Sequence, residues 1–116
     1  MYRANLDQAS FRESILHYTQ FREARLTNSV FIKAKCENAN FKLANLRHAN
    51  FTGADLRHVN FTGADLSHAN FEGAKVFGVT LADVKVAGTS GAKVDRSEKG
   101  DGSQLVSVGE WLQPST

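Results

Sequence analysis

Three histidines recur at intervals of ten residues in the middle of the chain, at His48, His58 and His68. Imidazole binds transition metals and carries protons near neutral pH, so this spacing raises the question of a metal site or a proton relay. Whether one ion could reach all three side chains depends on how the chain coils between them.

A second set of chemical groups, Asp65, Ser67 and His68, contains the residue types of a nucleophilic triad. Such catalysis requires a nucleophile, an oriented base and an oxyanion site that face one pocket. These residues crowd into one short polar segment, and the sequence indicates no pocket beside them. We therefore interpret the set as a chance arrangement and predict no catalytic residue.

Motifs for cofactors and metals are also missing from the sequence. The glycines of segment 88–102 do not form a phosphate-binding loop, and segment 95–102 lacks the ligand spacing of a calcium loop. The single cysteine, Cys36, excludes an internal disulfide and a cysteine-rich zinc site. The sequence thus predicts no cofactor, no metal site and no enzymatic activity.

Length and composition restrict the fold further. A chain of 116 residues, 41% of them hydrophobic, has room for one soluble domain, and no apolar run is long enough for a membrane span or a secretory signal. We therefore expect a cytoplasmic protein without a membrane partner. The net charge of +2, with both signs interspersed, neither requires nor excludes nucleic acid.

The elements that carry these side chains repeat with a period of five. Stepping by five from Leu6 to Val86 meets an apolar residue every time, and the residue two positions earlier is small or short. A period of five fits neither an α-helix nor a straight strand, so the chain must turn once per repeat and form a solenoid. The centres of the repeats, which we predict to form the core, are Leu6, Phe11, Leu16, Phe21, Leu26, Phe31, Cys36, Phe41, Leu46, Phe51, Leu56, Phe61, Leu66, Phe71, Val76, Leu81 and Val86.

Glycine marks the expected turns. Gly53, Gly63, Gly73, Gly78 and Gly88 all stand two residues after a centre. A type II turn needs a positive φ at its third residue, which glycine adopts without steric cost. Each repeat therefore predicts a short extended segment followed by a type II turn.

Units of the form Ala-(Asn/Asp)-(Leu/Phe) resemble the motif of the pentapeptide-repeat family. Examples are Ala4-Asn5-Leu6, Ala54-Asp55-Leu56 and Ala69-Asn70-Phe71. The resemblance covers residues 4 to about 88, and it implies an all-β fold: a right-handed quadrilateral parallel β-helix with four pentapeptides per coil and about four coils. We assign residues 1–96 to this β-helix and residues 97–116 to a loop and a C-terminal capping segment or tail.

Twenty residues per coil would place residues twenty apart directly above one another. His48 and His68 would then stack about 4.8 Å apart, one strand spacing, whereas His58 would lie across the core. No single ion could reach all three, and only a site made by His48 and His68, near Asp65, stays open. Cys36 would occupy a core position, which favours a small buried hydrophobe over a reactive thiol.

The repeat weakens after Val86. Residues 92–96 resemble one more repeat displaced by three positions, and residues 97–103 are polar, as expected for a loop. The apolar residues that follow suit a short helix or strand that caps the C-terminal end, with Pro114 as its stop, and a disordered tail is the alternative. The predicted capping residues are Leu105, Val108, Trp111 and Leu112.

Three functions suit a rod of this kind. We favour a non-enzymatic scaffold that binds a protein partner, as a regulatory or targeting module of a larger protein; the resemblance suggests cyanobacterial proteins such as kinases. Some family members inhibit DNA gyrase by resembling DNA, but residues 1–87 carry eleven basic and eight acidic side chains, a net +3 of the wrong sign. Weak nucleic-acid binding is the third function. The side that bears Arg22 and Lys42 is the least acidic, but Glu23 and Asp83 lie near its corners, so we expect little binding.

The ends of a stacked-strand rod expose unpaired backbone groups and apolar centres. The repeats begin at Ala4, with no capping segment in front of them in this sequence. We expect such an open end either to bind a partner or a second copy of the chain, or to follow another domain of a longer protein.

Overall fold

Parallel bridges between residues twenty positions apart define the architecture. The computed structural model describes residues 1–113, and its bridges occur at every fifth residue, from the pair Asn5 and Arg25 to the pair Lys75 and Asp95. Each bridge joins one five-residue unit to the unit in the next coil, so four units complete a coil. The chain is therefore a parallel β-helix, in which every coil pairs with the next one.

The five-residue units end in tight turns. The carbonyl of a centre accepts a hydrogen bond from the N–H three residues later, as Phe21 does from Ala24 at 3.1 Å. The third turn residue has a positive φ in each unit from Arg3 to Gly88, with values from 54° to 73°. These two features define the type II turn that the glycine positions predict.

Asparagine and aspartate recur one residue before the centre because the turn needs a side-chain acceptor. Between residues 1 and 90, the N–H one residue after each centre has no backbone acceptor. Where asparagine or aspartate stands two residues earlier, its side chain supplies one: Thr62 donates to Asn60 at 2.9 Å, and Ser67 donates to Asp65 at 3.0 Å. The Ala-(Asn/Asp)-(Leu/Phe) motif thus encodes an Asx turn together with a core position.

Two columns of phenylalanine fill the interior. Rings within a column stack at 4.8 to 5.4 Å, and rings of opposite columns meet edge to face at 5.5 to 6.3 Å. Both arrangements are favourable for aromatic pairs. The predicted centres from Phe21 to Val76 are buried, and those nearer the two ends are only partly buried. The partly buried centres are Leu6, Phe11, Leu16, Leu81 and Val86.

A small cap follows the β-helix. Strand β1, Lys93–Asp95, continues the last coil and pairs antiparallel with strand β2, Leu105–Ser107, and helix α1, Val108–Leu112, follows directly. The Oγ of Ser107 accepts the N–H of Glu110 at 3.0 Å and so caps the N-terminus of α1. We call these three elements and the loop between the strands the cap. Both a strand and a short helix thus form the cap, for which the sequence left either element open.

Trp111 completes a column of core rings. The column that holds Phe51 and Phe71 would continue at position 91, where the sequence has glycine. The indole of Trp111 contacts the ring of Phe71 instead, with centroids 5.0 Å apart and planes at 72°. Gly91 is required there, because a Cβ on it would lie 2.7 Å from the backbone nitrogen of Glu72.

The predicted displacement of residues 92–96 by three positions is wrong. Asp95 bridges Lys75, so the spacing of twenty persists into β1. Val94, which resembles a displaced centre in the sequence, is buried two positions before the next expected centre. Gly91 hides this register because it leaves one centre without a side chain.

The prediction that Leu105 caps the rod is also wrong. Its side chain is 56% exposed, because successive side chains of β2 point to opposite faces and Val106 takes the inward place. Among the other predicted capping residues, Val108 and Trp111 are buried and Leu112 is partly buried. Pro114, the expected stop, lies outside the described residues.

Candidate interaction surface

The cap covers only part of the last coil. Strand β1 and helix α1 pack over the sides of the rod that hold Phe71 and Val76, and both of these centres are buried. The next two centres, Leu81 and Val86, are only partly buried. We call residues 79–88 the open end, because this half of the coil has no further coil above it within residues 1–113.

The open end carries main-chain groups that have no backbone partner among the described residues. In the preceding coil, the carbonyl of Val59 accepts a hydrogen bond from Thr80, and the N–H of Phe61 donates one to Thr80, both at 3.0 Å. Val79 and Leu81 hold the equivalent places one coil later, and neither that carbonyl nor that N–H has a backbone partner within residues 1–113. The ladder of parallel bridges therefore ends here with its hydrogen-bonding groups available to another strand.

A cleft of about 520 Å³ separates the open end from the cap. Its apolar lining includes Val76, Phe77, Val79, Leu81, Val106 and Trp111, and its polar lining includes Arg96, Gln104 and Gln113. The exposed lining is more polar than apolar, and it places apolar side chains beside groups that can form hydrogen bonds.

Arg96 gives the cleft a positive charge. Its backbone N–H donates to Gln104 at 2.9 Å and ties the residue to β2, but its guanidinium forms no ion pair within the described part of the chain. An arginine without a partner is suited to bind a carboxylate through two parallel hydrogen bonds.

A charged cluster fastens the loop of the cap to the rod. Arg57 donates to Asp55 at 2.6 Å, to Glu37 at 3.2 Å and to the carbonyl of Glu98 at 3.4 Å. Burial acts to raise the pKa of Asp55, but the hydrogen bonds and charge of Arg57 outweigh it and hold that pKa below its usual value. These charges satisfy one another, so we assign them a structural role.

The three histidines occupy turn positions and do not form one site. The rings of His48 and His68 stack with centroids 4.9 Å apart and planes at 10°, whereas His58 packs edge-on against Phe77 at 5.4 Å. The lone pair with which an imidazole nitrogen binds a metal lies in the plane of its ring, so the lone pairs of two stacked rings run side by side and do not converge. Parallel rings at this separation do not hold one ion between them.

The Asp65, Ser67 and His68 set does not form a triad. Asp65 accepts the backbone N–H of Ser67 in an Asx turn and pairs with Arg47 at 3.4 Å. Ser67 is buried and His68 is exposed, and no hydrogen bond joins their side chains within residues 1–113. Residues 1–113 as a whole contain no group of three or more His, Cys, Asp or Glu side chains that could hold a metal ion.

The N-terminal end of the rod is also apolar. The centres Leu6, Phe11 and Leu16 are partly buried, because the described chain places no coil before them. Tyr2 is exposed beside them, with the guanidinium of Arg3 lying 4.9 Å from its ring centroid. Both ends of the rod thus differ from its sides, where polar residues and Asx turns prevail.

Parallel coils of twenty residues, type II turns and repeated Asx motifs define a β-helix built from five-residue units. The sequence profile of the pentapeptide repeat region matches residues 4–81. The chain therefore belongs to the pentapeptide repeat family. A comparison with curated protein sequences finds no significant match.

Three solved structures of pentapeptide repeat proteins share this fold. One from the thylakoid lumen of Arabidopsis thaliana is 25% identical with a TM-score of 0.78, covering 82% of this chain and 66% of its own. Rfr23 from the cyanobacterium Cyanothece 51142 is 26% identical with a TM-score of 0.77, covering 80% and 64%. HetL from the cyanobacterium Nostoc sp. strain PCC 7120, a protein involved in heterocyst differentiation regulation, is 28% identical with a TM-score of 0.62, covering 90% and 50%.

This chain thus spans between half and two thirds of the length of these three structures. No helix among residues 1–113 combines the length and hydrophobicity needed to cross a membrane.

Sequence reasoning missed the cleft and the role of Arg96. Two signals in the sequence point toward the cap that borders the cleft. Gly91 interrupts the line of apolar centres, and Trp111 is the one tryptophan of the chain and lies beyond the last repeat. A missing core ring followed by an isolated large aromatic residue indicates a cap that folds back over the coil.

Proposed function

We propose that this protein is a non-enzymatic scaffold that binds a protein partner through the open end. We further propose that the rod is a right-handed quadrilateral β-helix of about four coils. We propose that it works in the cytoplasm as a regulatory or targeting module of a larger protein. The observation that carries the proposal is that Leu81 and Val86 are partly buried and that main-chain groups on the same half of the coil have no backbone partner within residues 1–113.

Surface chemistry supports the open end over the sides of the rod. Along the sides, polar side chains bind the backbone of their own turns, as Asn60 does with Thr62. Such groups gain little from a partner because their hydrogen bonds are already made. At the open end, apolar side chains and main-chain groups both gain partners when another strand covers them.

The similarity to HetL supports a regulatory role, since HetL is involved in heterocyst differentiation regulation and shares this fold over most of the present chain. Two of the three similar structures come from cyanobacteria, which supports a source of that kind.

Site-specific photo-cross-linking tests the proposal. A benzophenone amino acid replaces Leu81 at the open end or, as the matched control, Leu43, which is 51% exposed on the side of the rod. We expect the Leu81 variant in a source-cell extract to form a discrete protein adduct that unmodified protein competes away. Adducts formed equally from Leu43, or no adduct from either position, would contradict the proposal.

A further inference from the structure

We propose that the open end binds an extended peptide strand with the pattern apolar–any–apolar, preceded by an acidic residue that pairs with Arg96. The inference rests on the proposed function and specifies the chemistry of the partner. Main-chain hydrogen bonds, alternating side chains and the charge of the cleft each support one part of this pattern.

The main chain around Thr80 is ready for one more parallel bridge. Thr80 already bridges Asn60 in the coil before it, and no residue within 1–113 bridges it on the other side. A peptide residue placed there would donate its N–H to the carbonyl of Val79 and accept the N–H of Leu81. Addition of a strand to an exposed edge derives its affinity from such main-chain bonds.

The alternation of side chains in this fold sets the apolar–any–apolar pattern. In the preceding coil, Val59 and Phe61 flank the bridging residue Asn60 and are fully buried, while Asn60 faces outward. A peptide residue paired with Thr80 would face outward in the same way. Its two neighbours would pack on Val79 and Leu81 and extend into the cleft of about 520 Å³.

The positive charge of Arg96 in the cleft favours an acidic residue in the bound peptide. Arg96 is the one charged side chain among the described residues that line the cleft. It follows Asp95, which lies above Lys75, and so stands at the corner that precedes Thr80 in the direction of the coil. In a peptide that runs parallel to the coil, the residue just before the first apolar residue therefore lies next to this guanidinium. A carboxylate side chain is favoured there over the ammonium group of a lysine.

Nuclear magnetic resonance of the full ¹⁵N-labelled chain tests the inference with two defined probes. The first is the peptide acetyl-Ser-Glu-Val-Thr-Val-Gly-amide, and the second is the same peptide with lysine in place of glutamate. We expect the acidic peptide to shift the amide signals of Leu81 and Asp83 and the indole signal of Trp111, and to bind at least tenfold more tightly than the lysine peptide.

Two changes separate the charge from the main-chain pairing. Arg96→Glu should reverse the preference between the two peptides, whereas Lys99→Glu, the same charge change in the loop of the cap, should leave it unaltered. A methyl group on the backbone nitrogen of the peptide threonine should weaken binding at least tenfold, because this N–H is the donor to Val79. Arg96 is exposed, so the variant keeps its fold, and the unshifted remainder of its spectrum verifies this.

The inference is overturned if neither peptide shifts the open end, if Arg96→Glu leaves the preference unchanged, or if a DNA duplex of twelve base pairs binds there more tightly than the acidic peptide. A protein adduct from position 81 together with no response to either peptide would retain the scaffold function and reject the peptide chemistry. If position 81 gives no protein adduct and neither peptide shifts the signals of the open end, the scaffold function is rejected as well.

Discussion

The residue two positions after each centre shows how the backbone of this fold selects its residues. Its φ is positive in every unit from Arg3 to Gly88, and most of these positions hold a residue other than glycine. The left-handed region costs such residues about 1 to 2 kcal/mol and is worst for β-branched ones. No isoleucine, valine or threonine stands at any of these positions. The even spacing of the three central histidines therefore follows from a shared turn position and not from shared chemistry.

Replacement of a turn glycine measures this backbone cost. Gly73 has φ +70°, and a Cβ on it would meet only the backbone of Gly53 at 3.9 Å, so alanine there is strained without a clash. We expect Gly73→Ala to lower the free energy of unfolding by about 1 kcal/mol in urea titrations. The control, Gly109→Ala, lies in α1 with open space around it and should be stabilising by up to about 1 kcal/mol. A stabilising Gly73→Ala would contradict the turn assignment.

The thiol of Cys36 should be inert in the folded protein. Burial, and then the charge of Asp55, raise its pKa to about 12. The thiolate is the reactive form, so we expect no reaction with a disulfide reagent at pH 8 until denaturant is added. The unfolded thiol ionises from about pH 9, so this residue makes stability fall as pH rises from there toward 12. Rapid labelling of the folded protein would show that this core position is open.

At the scale of elements, the cap contributes the last ring of the core. We expect Trp111→Ala to lower the free energy of unfolding by about 3 kcal/mol, because the indole is buried on Phe71. The control Leu105→Ala removes an exposed side chain from the same cap and should change stability by no more than about 0.5 kcal/mol. Equal effects of the two substitutions would mean that α1 does not cover the Phe71 column.

The attachment of the loop depends on Arg57. In Arg57→Met we expect a loss of about 1 to 3 kcal/mol at pH 7, since the mostly buried carboxylate of Asp55 loses its cation. The pKa of Asp55 is lower in the folded protein than in the unfolded chain. The ionised carboxylate therefore stabilises the fold at a pH above its pKa in the unfolded chain, and this stabilisation is lost as the pH falls through its pKa in the folded protein. The deficit should therefore shrink in acid. Arg47→Met, which removes a more exposed arginine with one 3.4 Å contact, should cost less than about 1 kcal/mol.

At the scale of the whole molecule, the sequence predicts the parts that repeat. The centres and the turns follow from the period of five, whereas the twenty-residue coil is what the resemblance to the pentapeptide-repeat family implies. In that coil each unit contacts the equivalent unit one coil away. The cap does not repeat: Trp111 meets Phe71, and Arg57 meets the carbonyl of Glu98, across about forty residues of chain. No local pattern encodes these contacts, so the cleft and the position of Arg96 emerge only from the folded chain.

Amide hydrogen exchange of the free protein reports which half of the last coil is covered by the cap and which half is open. The N–H groups of Phe61 and Leu66 donate to the next coil at 3.0 and 2.7 Å, whereas those of Leu81 and Val86, one coil later, have no backbone acceptor within residues 1–113. We predict slow exchange at Phe61 and Leu66 and exchange at least a hundredfold faster at Leu81 and Val86. Equal protection of all four amides would show that residues 79–88 are covered and that no open end exists.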